Sequence, residues 1–181
     1  MQLRDGLEGV APWQNMRTGI ALGSNLGDRL ANLRAARERL QSLPATQGPL
    51  LCSAVYETEP VGCEPGAGAF LNAVMELGFT GAAGELLDVL RSIEKELGRP
   101  SQHPKNTSRT IDLDLLYFGE ERMSTPALEL PHPRLHGRRF VLQPLADIRP
   151  DLVLPGQHEP VAVLLAGLGD APQLVTVASE W

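Results

Sequence analysis

The chain has 181 residues, 43% hydrophobic and 21% charged, which suits one soluble domain with a well-formed core. Its formal charge of −6 argues against nucleic-acid binding driven by net charge. No apolar run approaches about 18 residues, so no membrane span is expected, and the first 17 residues hold no signal-peptide core.

The charge is unevenly spread. Between Arg99 and Arg139 seven Lys/Arg stand against five Asp/Glu, a local +2, which leaves −8 for the remainder. An anionic ligand is expected near that middle segment. Cys52 and Cys63 are the only cysteines and have no CxxC or Cys/His company, so neither a disulfide framework nor a zinc site is expected. Two free thiols suit a reducing, cytoplasmic setting.

Residues 1–17 lack periodicity and read as an N-terminal extension to a single domain over 18–181. Thr18 to Leu22 is a short apolar run and reads as a first strand. Gly23-Ser24-Asn25-Leu26-Gly27-Asp28 is a turn with Asp28 as N-cap, and it is a weak phosphate-loop candidate because it lacks the lysine of a Walker A motif. A helix is predicted to about Ser42, with Leu30, Leu33, Ala36 or Arg37, and Leu40 on one face. Pro44 to Pro49 reads as a loop, and Leu51 to Thr58 as a second strand. Glu59 to Gly68 holds two Pro and three Gly and reads as a ligand-facing loop. Phe70 to Phe79 alternates as a third strand, with Leu71, Ala73, Met75 and Leu77 on one face and Phe70, Asn72, Val74 and Glu76 on the other. Gly84 to Leu97 is a helix, with Leu86, Leu90, Ile93 and Leu97 in a stripe and Gly98 as its stop. Arg99 to Thr107 is a polar loop.

Ser108 to Phe118 reads as a strand with two unlike faces. Ile111, Leu113, Leu115 and Tyr117 fall on one, and Asp112 and Asp114 on the other. Carboxylates two apart on a strand sit roughly 6–7 Å from each other and repel, unless the face is wet, a proton is shared or a cation lies between them. Arg99, Lys105, Arg109, His132 and Arg138 flank the pair in sequence, which suggests a metal–phosphate site, although a salt-bridge cluster would look alike. Phe70 and Phe140 could hold a flat heterocycle between them, with Asn72 reading its edge, or could simply pack together. Glu94 lies at the edge of a helix stripe, where a surface glutamate is the plainer reading. His132 is held stiffly between two prolines.

The element order is β-α-β-β-α-β, an α+β, ferredoxin-like antiparallel sheet with both helices on one face and a C-terminal extension. The opposite face must meet solvent, a ligand or that extension. Leu130-Pro131-His132-Pro133 reads as a rigid turn, and Pro160 to Leu168 as a helix.

These residues together resemble the 6-hydroxymethyl-7,8-dihydropterin pyrophosphokinases over about Thr18 to Leu154. The matching parts are Gly23-Ser24-Asn25-Leu-Gly, Tyr56-Glu-Thr58-Glu-Pro, Phe70-Leu-Asn72-Ala, Ile93-Glu94 with Gly98-Arg99, Arg109-Thr-Ile-Asp112-Leu-Asp114-Leu, and Pro131-His132-Pro followed by Arg138-Arg-Phe140. The resemblance implies transfer of pyrophosphate from ATP to the pterin's hydroxymethyl oxygen, giving AMP. It implies that Asp112 and Asp114 hold two Mg²⁺ ions. Thr58, Val61, Phe70, Asn72 and Phe140 would bind the pterin. Glu94, Arg99, Arg109, Ile111, His132 and Arg138 would bind ATP, with Arg99 and Arg109 also neutralising the transferring group. The partners expected are small molecules, with no nucleic acid and no membrane, and the protein is expected to be a monomer. Ser101, Asn106 and Thr107 depart from the family pattern, all in the loop before Ser108. An RNA-binding module of the same topology would need exposed aromatics on its central strands, where this chain has Asp-Leu-Asp. A non-catalytic family member would bind pterin without turnover.

Overall fold

The computed structural model describes residues 16–60, 65–99, 108–169 and 174–181. The elements are β1 (Arg17–Ser24), α1 (Arg29–Gln41), β2 (Thr46–Cys52), β3 (Val55–Thr58), β4 (Phe70–Phe79), α2 (Ala83–Glu96), β5 (Asp112–Phe118), the short strands β6 (Met123–Ser124) and β7 (Glu129–Leu130), α3 (Arg139–Ile148), α4 (Val161–Ala166) and β8 (Val175–Ala178). The main sheet runs β5-β1-β4-β3-β8, with β2 also paired to β4, and its pairings are antiparallel. This is the expected ferredoxin-like order with β8 added at one edge. No described helix is long and apolar enough to cross a membrane.

Asp28 caps α1 as its sequence position predicts, its Oδ1 accepting from the Ala31 N–H at 3.0 Å. At the other end of the helix pair, Gly98 takes φ +91°. That left-handed residue lets the Arg99 N–H turn back onto the Glu94 carbonyl at 2.9 Å. Leu33, Ala36 and Leu40 of α1 and Leu86, Leu90 and Ile93 of α2 bury against Ile20, Leu22, Leu71, Met75, Leu113 and Leu115. The opposite sheet face is covered from residue 135 onward. Leu135, Val141, Leu142, Leu145, Leu154 and Val161 pack on Val74, Leu116 and Tyr117.

Four expectations are corrected. The predicted second strand is two strands, because the chain leaves the ladder at Ser53, whose hydroxyl accepts from the Val74 N–H at 2.9 Å. The predicted loop before it already contains the start of β2 at Thr46, paired with Phe79. The strand predicted from Ser108 begins only at Asp112. Tyr117 lies on the opposite face from Leu115. The β1–β5 register shifts between Gly19 and Ile20, so Leu116 is an extra residue in β5 and parity flips after it. Gly19 makes this possible, since a Cβ there would fall 2.2 Å from the Tyr117 ring.

Tyr117 then points at Glu76, a carboxylate with no exposed surface. The Tyr117 hydroxyl and the Arg17 guanidinium both donate to it, and Arg149 Nη1 reaches its two oxygens at 2.8 and 3.1 Å. Two cations and a hydroxyl make the buried charge tolerable. Arg17 thus opens β1, and residues 1–15 of the expected extension lie outside the described residues. At the far end, Trp181 is buried, donating from Nε1 to the Ser53 carbonyl at 2.8 Å beneath the Arg37 guanidinium. Neither β8 nor this contact was anticipated.

Candidate functional site

The site is built on one row across the sheet. Gly23 of β1 pairs with Asp112 of β5 on one side and Asn72 of β4 on the other, and Asn72 pairs in turn with Tyr56 of β3. Directly opposed residues share a face, so Asp112, Gly23, Asn72 and Tyr56 line one surface. The neighbouring row places Ala21 between Asp114 and Val74. Gly19, Ala21 and Gly23 alternate with Ile20 and Leu22, so β1 gives its bulk to the helices and leaves a shallow trough on the other face. A Cβ on Gly23 would lie 3.2 Å from Asn72 Oδ1 and 3.8 Å from both Asp112 and Phe70. At a strand spacing of about 4.8 Å the Asp112 and Asn72 backbones stand ~10 Å apart, and their side chains lean toward each other over Gly23, which has none.

Asp112 and Asp114 remain on regular strand and share the predicted face. Asp112 accepts from Arg99 Nη1 at 2.6 Å and from Arg109 Nη1 at 2.9 Å. Burial, and then the Asp112 charge, hold the Asp114 carboxyl above its ordinary range, while Arg138, Arg134 and Arg99 pull the other way. The pair therefore feels its own repulsion. Among the described residues no third His, Cys, Asp or Glu joins them as a ready-made metal cluster.

In an ideal strand from Ser108, the odd position of Arg109 would set it opposite the aspartates. It instead precedes β5, in chain free of ladder pairing. Asn25 fixes it there. The buried Asn25 side chain accepts from the Arg109 N–H at 2.7 Å and donates to Ser108 Oγ at 3.2 Å, and the Asn25 N–H reaches the Arg109 carbonyl at 3.2 Å. The Gly23–Gly27 turn therefore serves as a clamp on the approach to β5. Arg99 is held by Glu94, whose Oε1 also accepts from the Leu113 N–H at 2.7 Å. Glu94 is thus an anchor between α2 and β5, with burial pushing its carboxyl pKa up. Ile111 is fully buried, so only its backbone can face a ligand.

Asn72 Nδ2 donates to Thr58 Oγ1 at 2.7 Å, which turns the Asn72 amide and fixes its orientation. Phe70 and Phe140 are half-buried and do not stack on each other; the ring pair among the described residues is Phe79–Phe118. Each carries a guanidinium over a face instead, Arg109 5.9 Å from Phe70 and Arg138 5.4 Å from Phe140. His132 is held by its own N–H on the Leu116 carbonyl at 2.8 Å. Its Nδ1 accepts from the Arg134 N–H at 3.2 Å, which leaves Nε2 as the donor of the neutral ring. Burial, Arg138 and Arg134 lower its pKa to about 4, so it stays neutral at physiological pH. Arg134 is a cation beside Asp114 that the sequence reading passed over. Val61, Ser101, Asn106 and Thr107 lie outside the described residues.

Residues 19–150 match the model of 7,8-dihydro-6-hydroxymethylpterin-pyrophosphokinase. The chain belongs to this family. It is 41% identical over 145 residues to the 2-amino-4-hydroxy-6-hydroxymethyldihydropteridine pyrophosphokinase of Pseudomonas aeruginosa, covering 80% of this chain and 88% of that one. The Bacillus subtilis enzyme of the same name is 45% identical over 129 residues, 71% of this chain and 75% of that one. A folate synthesis bifunctional protein of Arabidopsis thaliana is 38% identical over 129 residues, 71% of this chain but 26% of that longer one. The crystal structure of Plasmodium falciparum HPPK-DHPS with pteroate superposes with a TM-score of 0.65 at 14% identity, over 84% of this chain and 42% of that one. That likeness speaks for the fold. As a pyrophosphokinase of this family, the chain transfers pyrophosphate from ATP to 6-hydroxymethyl-7,8-dihydropterin in folate biosynthesis.

Proposed function

We propose that the reaction runs on the trough between Asp112 and Asn72, as a Mg²⁺-dependent transfer carried by the residues named above. The observation that supports this most is the row Asp112–Gly23–Asn72, which sets a carboxylate and an amide on either side of a residue without a side chain. The hydroxymethyl oxygen of the pterin bonds to the β-phosphorus of ATP as the bond from that phosphorus to the α,β-bridging oxygen breaks. AMP leaves with that electron pair, and the hydroxyl proton is lost.

Asp112 and Asp114 fit as ligands of two Mg²⁺ ions. Their carboxylates share a face, they repel, and the remaining ligands would be water and phosphate oxygens, the usual mix for Mg²⁺. When bound, these ions neutralise the triphosphate and orient it. Asn72 and Thr58, with the backbone near Val61, read the polar edge of the pterin, and Phe70 and Phe140 stack on its faces. Arg99 and Arg109 lie against Asp112 and can turn to the transferring oxygens. Arg138, the neutral His132, Glu94 and the Ile111 backbone complete the ATP side. Positioning and charge neutralisation suffice for such a transfer, and no side-chain nucleophile is required. The protein works as a cytoplasmic monomer, with residues 18–181 as one unit.

Metal removal tests the reading. Turnover should vanish in excess chelator and return with added Mg²⁺, whereas turnover persisting in chelator would overturn the metal assignment.

A further inference from the structure

Tyr56 is buried and has no part in the transfer just described. It lies opposite Asn72 on β3 and two residues before Thr58, so all three side chains share the trough face. Its hydroxyl donates to Asp147 Oδ2 at 2.7 Å. The other Asp147 oxygen accepts from Gln143 Nε2 at 3.4 Å. Burial, and then the Asp147 carboxylate, push the Tyr56 hydroxyl up to about 12, so it remains a donor throughout the physiological range.

Asp147 and Gln143 stand on α3, the helix that begins beside Phe140. Positions 140, 143 and 147 lie at i, i+3 and i+7, on one helix face spanning about 10 Å. Arg149, at the C-cap of α3, ties the far end of the helix to Glu76 of β4, and the contact between these two polar ties and Phe140 is apolar, through Val141, Leu142 and Leu145. Apolar packing holds a helix down without fixing its lateral position, because it is non-directional. A hydrogen bond at 2.7 Å is directional and fixes one distance. One end of this strut is rooted in the strand that carries Thr58, and the other in the helix that carries Phe140.

We propose that Tyr56 and Asp147 are positioning residues that set the spacing of α3 from the sheet, and with it the width of the slot between Phe70 and Phe140. The proposal rests on the assignment of those two rings to the pterin. The strut acts mainly on pterin affinity, because His132 and the aspartates are held by β5 and the turn after β7, and Arg138 at the N-cap of α3 is the one ATP-side residue that shares the helix.

The test is equilibrium binding of 6-hydroxymethyl-7,8-dihydropterin and of ATP, measured separately, with thermal denaturation alongside. Tyr56→Phe keeps the ring and removes the donor. It should weaken pterin binding about fivefold, the equivalent of one hydrogen bond of ~1 kcal/mol, and change ATP binding by less than about twofold. Asp147→Ala should match it, Asp147→Asn should recover most of the loss because it keeps an acceptor, and Tyr56→Phe/Asp147→Ala should be no worse than either alone. Unchanged pterin affinity in Tyr56→Phe, an equal loss for ATP, or additive losses in the double variant would refute the strut. Phe140→Ala separates the two levels of the argument. If it leaves pterin affinity intact, the slot assignment falls and takes the strut with it. If it weakens pterin at least tenfold while Tyr56→Phe leaves pterin affinity unchanged, the slot stands and the strut alone is wrong.

Discussion

Asp114→Asn should fold as well as the wild type and lose at least ~10³-fold in turnover at saturating ATP, Mg²⁺ and pterin, a barrier increase of about 4 kcal/mol. The two halves of this expectation have one cause. Burial and the neighbouring Asp112 charge disfavour the ionised Asp114 carboxyl in the folded chain. At neutral pH, replacing the charge by a neutral isostere relieves that repulsion, so the melting temperature should hold or rise. The same charge is what a cation and a triphosphate require, so activity should collapse. Asp112 is a less clean target, because removing its carboxylate also takes one ion-pair partner from Arg99 and one from Arg109. Steady-state kinetics with a melting curve decide the matter. Turnover within about tenfold of wild type in a folded Asp114→Asn protein would remove the aspartate from the metal site.

Arg99→Ala should lower kcat by roughly 10²-fold and leave the KM for ATP nearly unchanged, as for a preorganised charge that engages mainly in the transition state. The structure gives the preorganisation a source. Gly98 reverses the chain at the end of α2, and Glu94 holds the guanidinium against Asp112. Arg99→Lys restores the charge without the planar fork and should recover part of the loss. A KM that rises in proportion as kcat falls would make Arg99 a simple binding residue.

The sheet, its two long helices and the face on which the aspartates lie were legible from the chain because each rests on periodicity. Leu71 to Leu77 and Leu86 to Leu97 state their faces over several turns or pleats, and a single misread residue cannot change them. Where one residue decides the register of a strand, the reading failed. The extra Leu116 in β5 flips Tyr117 to the other face, and nothing at Leu116 itself marks it. The mark lies on the partner strand, where Gly19 makes room for the ring. Small residues at 19, 21 and 23, alternating with Ile20 and Leu22, were the available sign of a trough. Gly19 and Ala21 were read only as part of an apolar run, and Gly23 as the start of a turn.

The site was legible as a set of residues and less so as a geometry. Arg109 stands on the wrong parity for an ideal strand, yet reaches Asp112 because the strand has not begun. Asn25 looked like part of a weak phosphate loop and turned out to clamp that approach. Glu94 looked like a surface residue because the Leu113 N–H that it binds is nineteen positions away in sequence. The tail was missed because Val175 and Val177 of β8 are exposed at an edge, 64% and 47%, where no buried face imposes a pattern.

The central claim is that this trough moves a pyrophosphoryl group rather than a single phosphoryl group. It is tested most directly by following the products of ATP, Mg²⁺ and 6-hydroxymethyl-7,8-dihydropterin with the wild-type protein by phosphorus NMR. AMP and the pterin diphosphate should appear in equal amounts and at equal rates. ADP with a pterin monophosphate, or pterin binding with no turnover, would contradict the account.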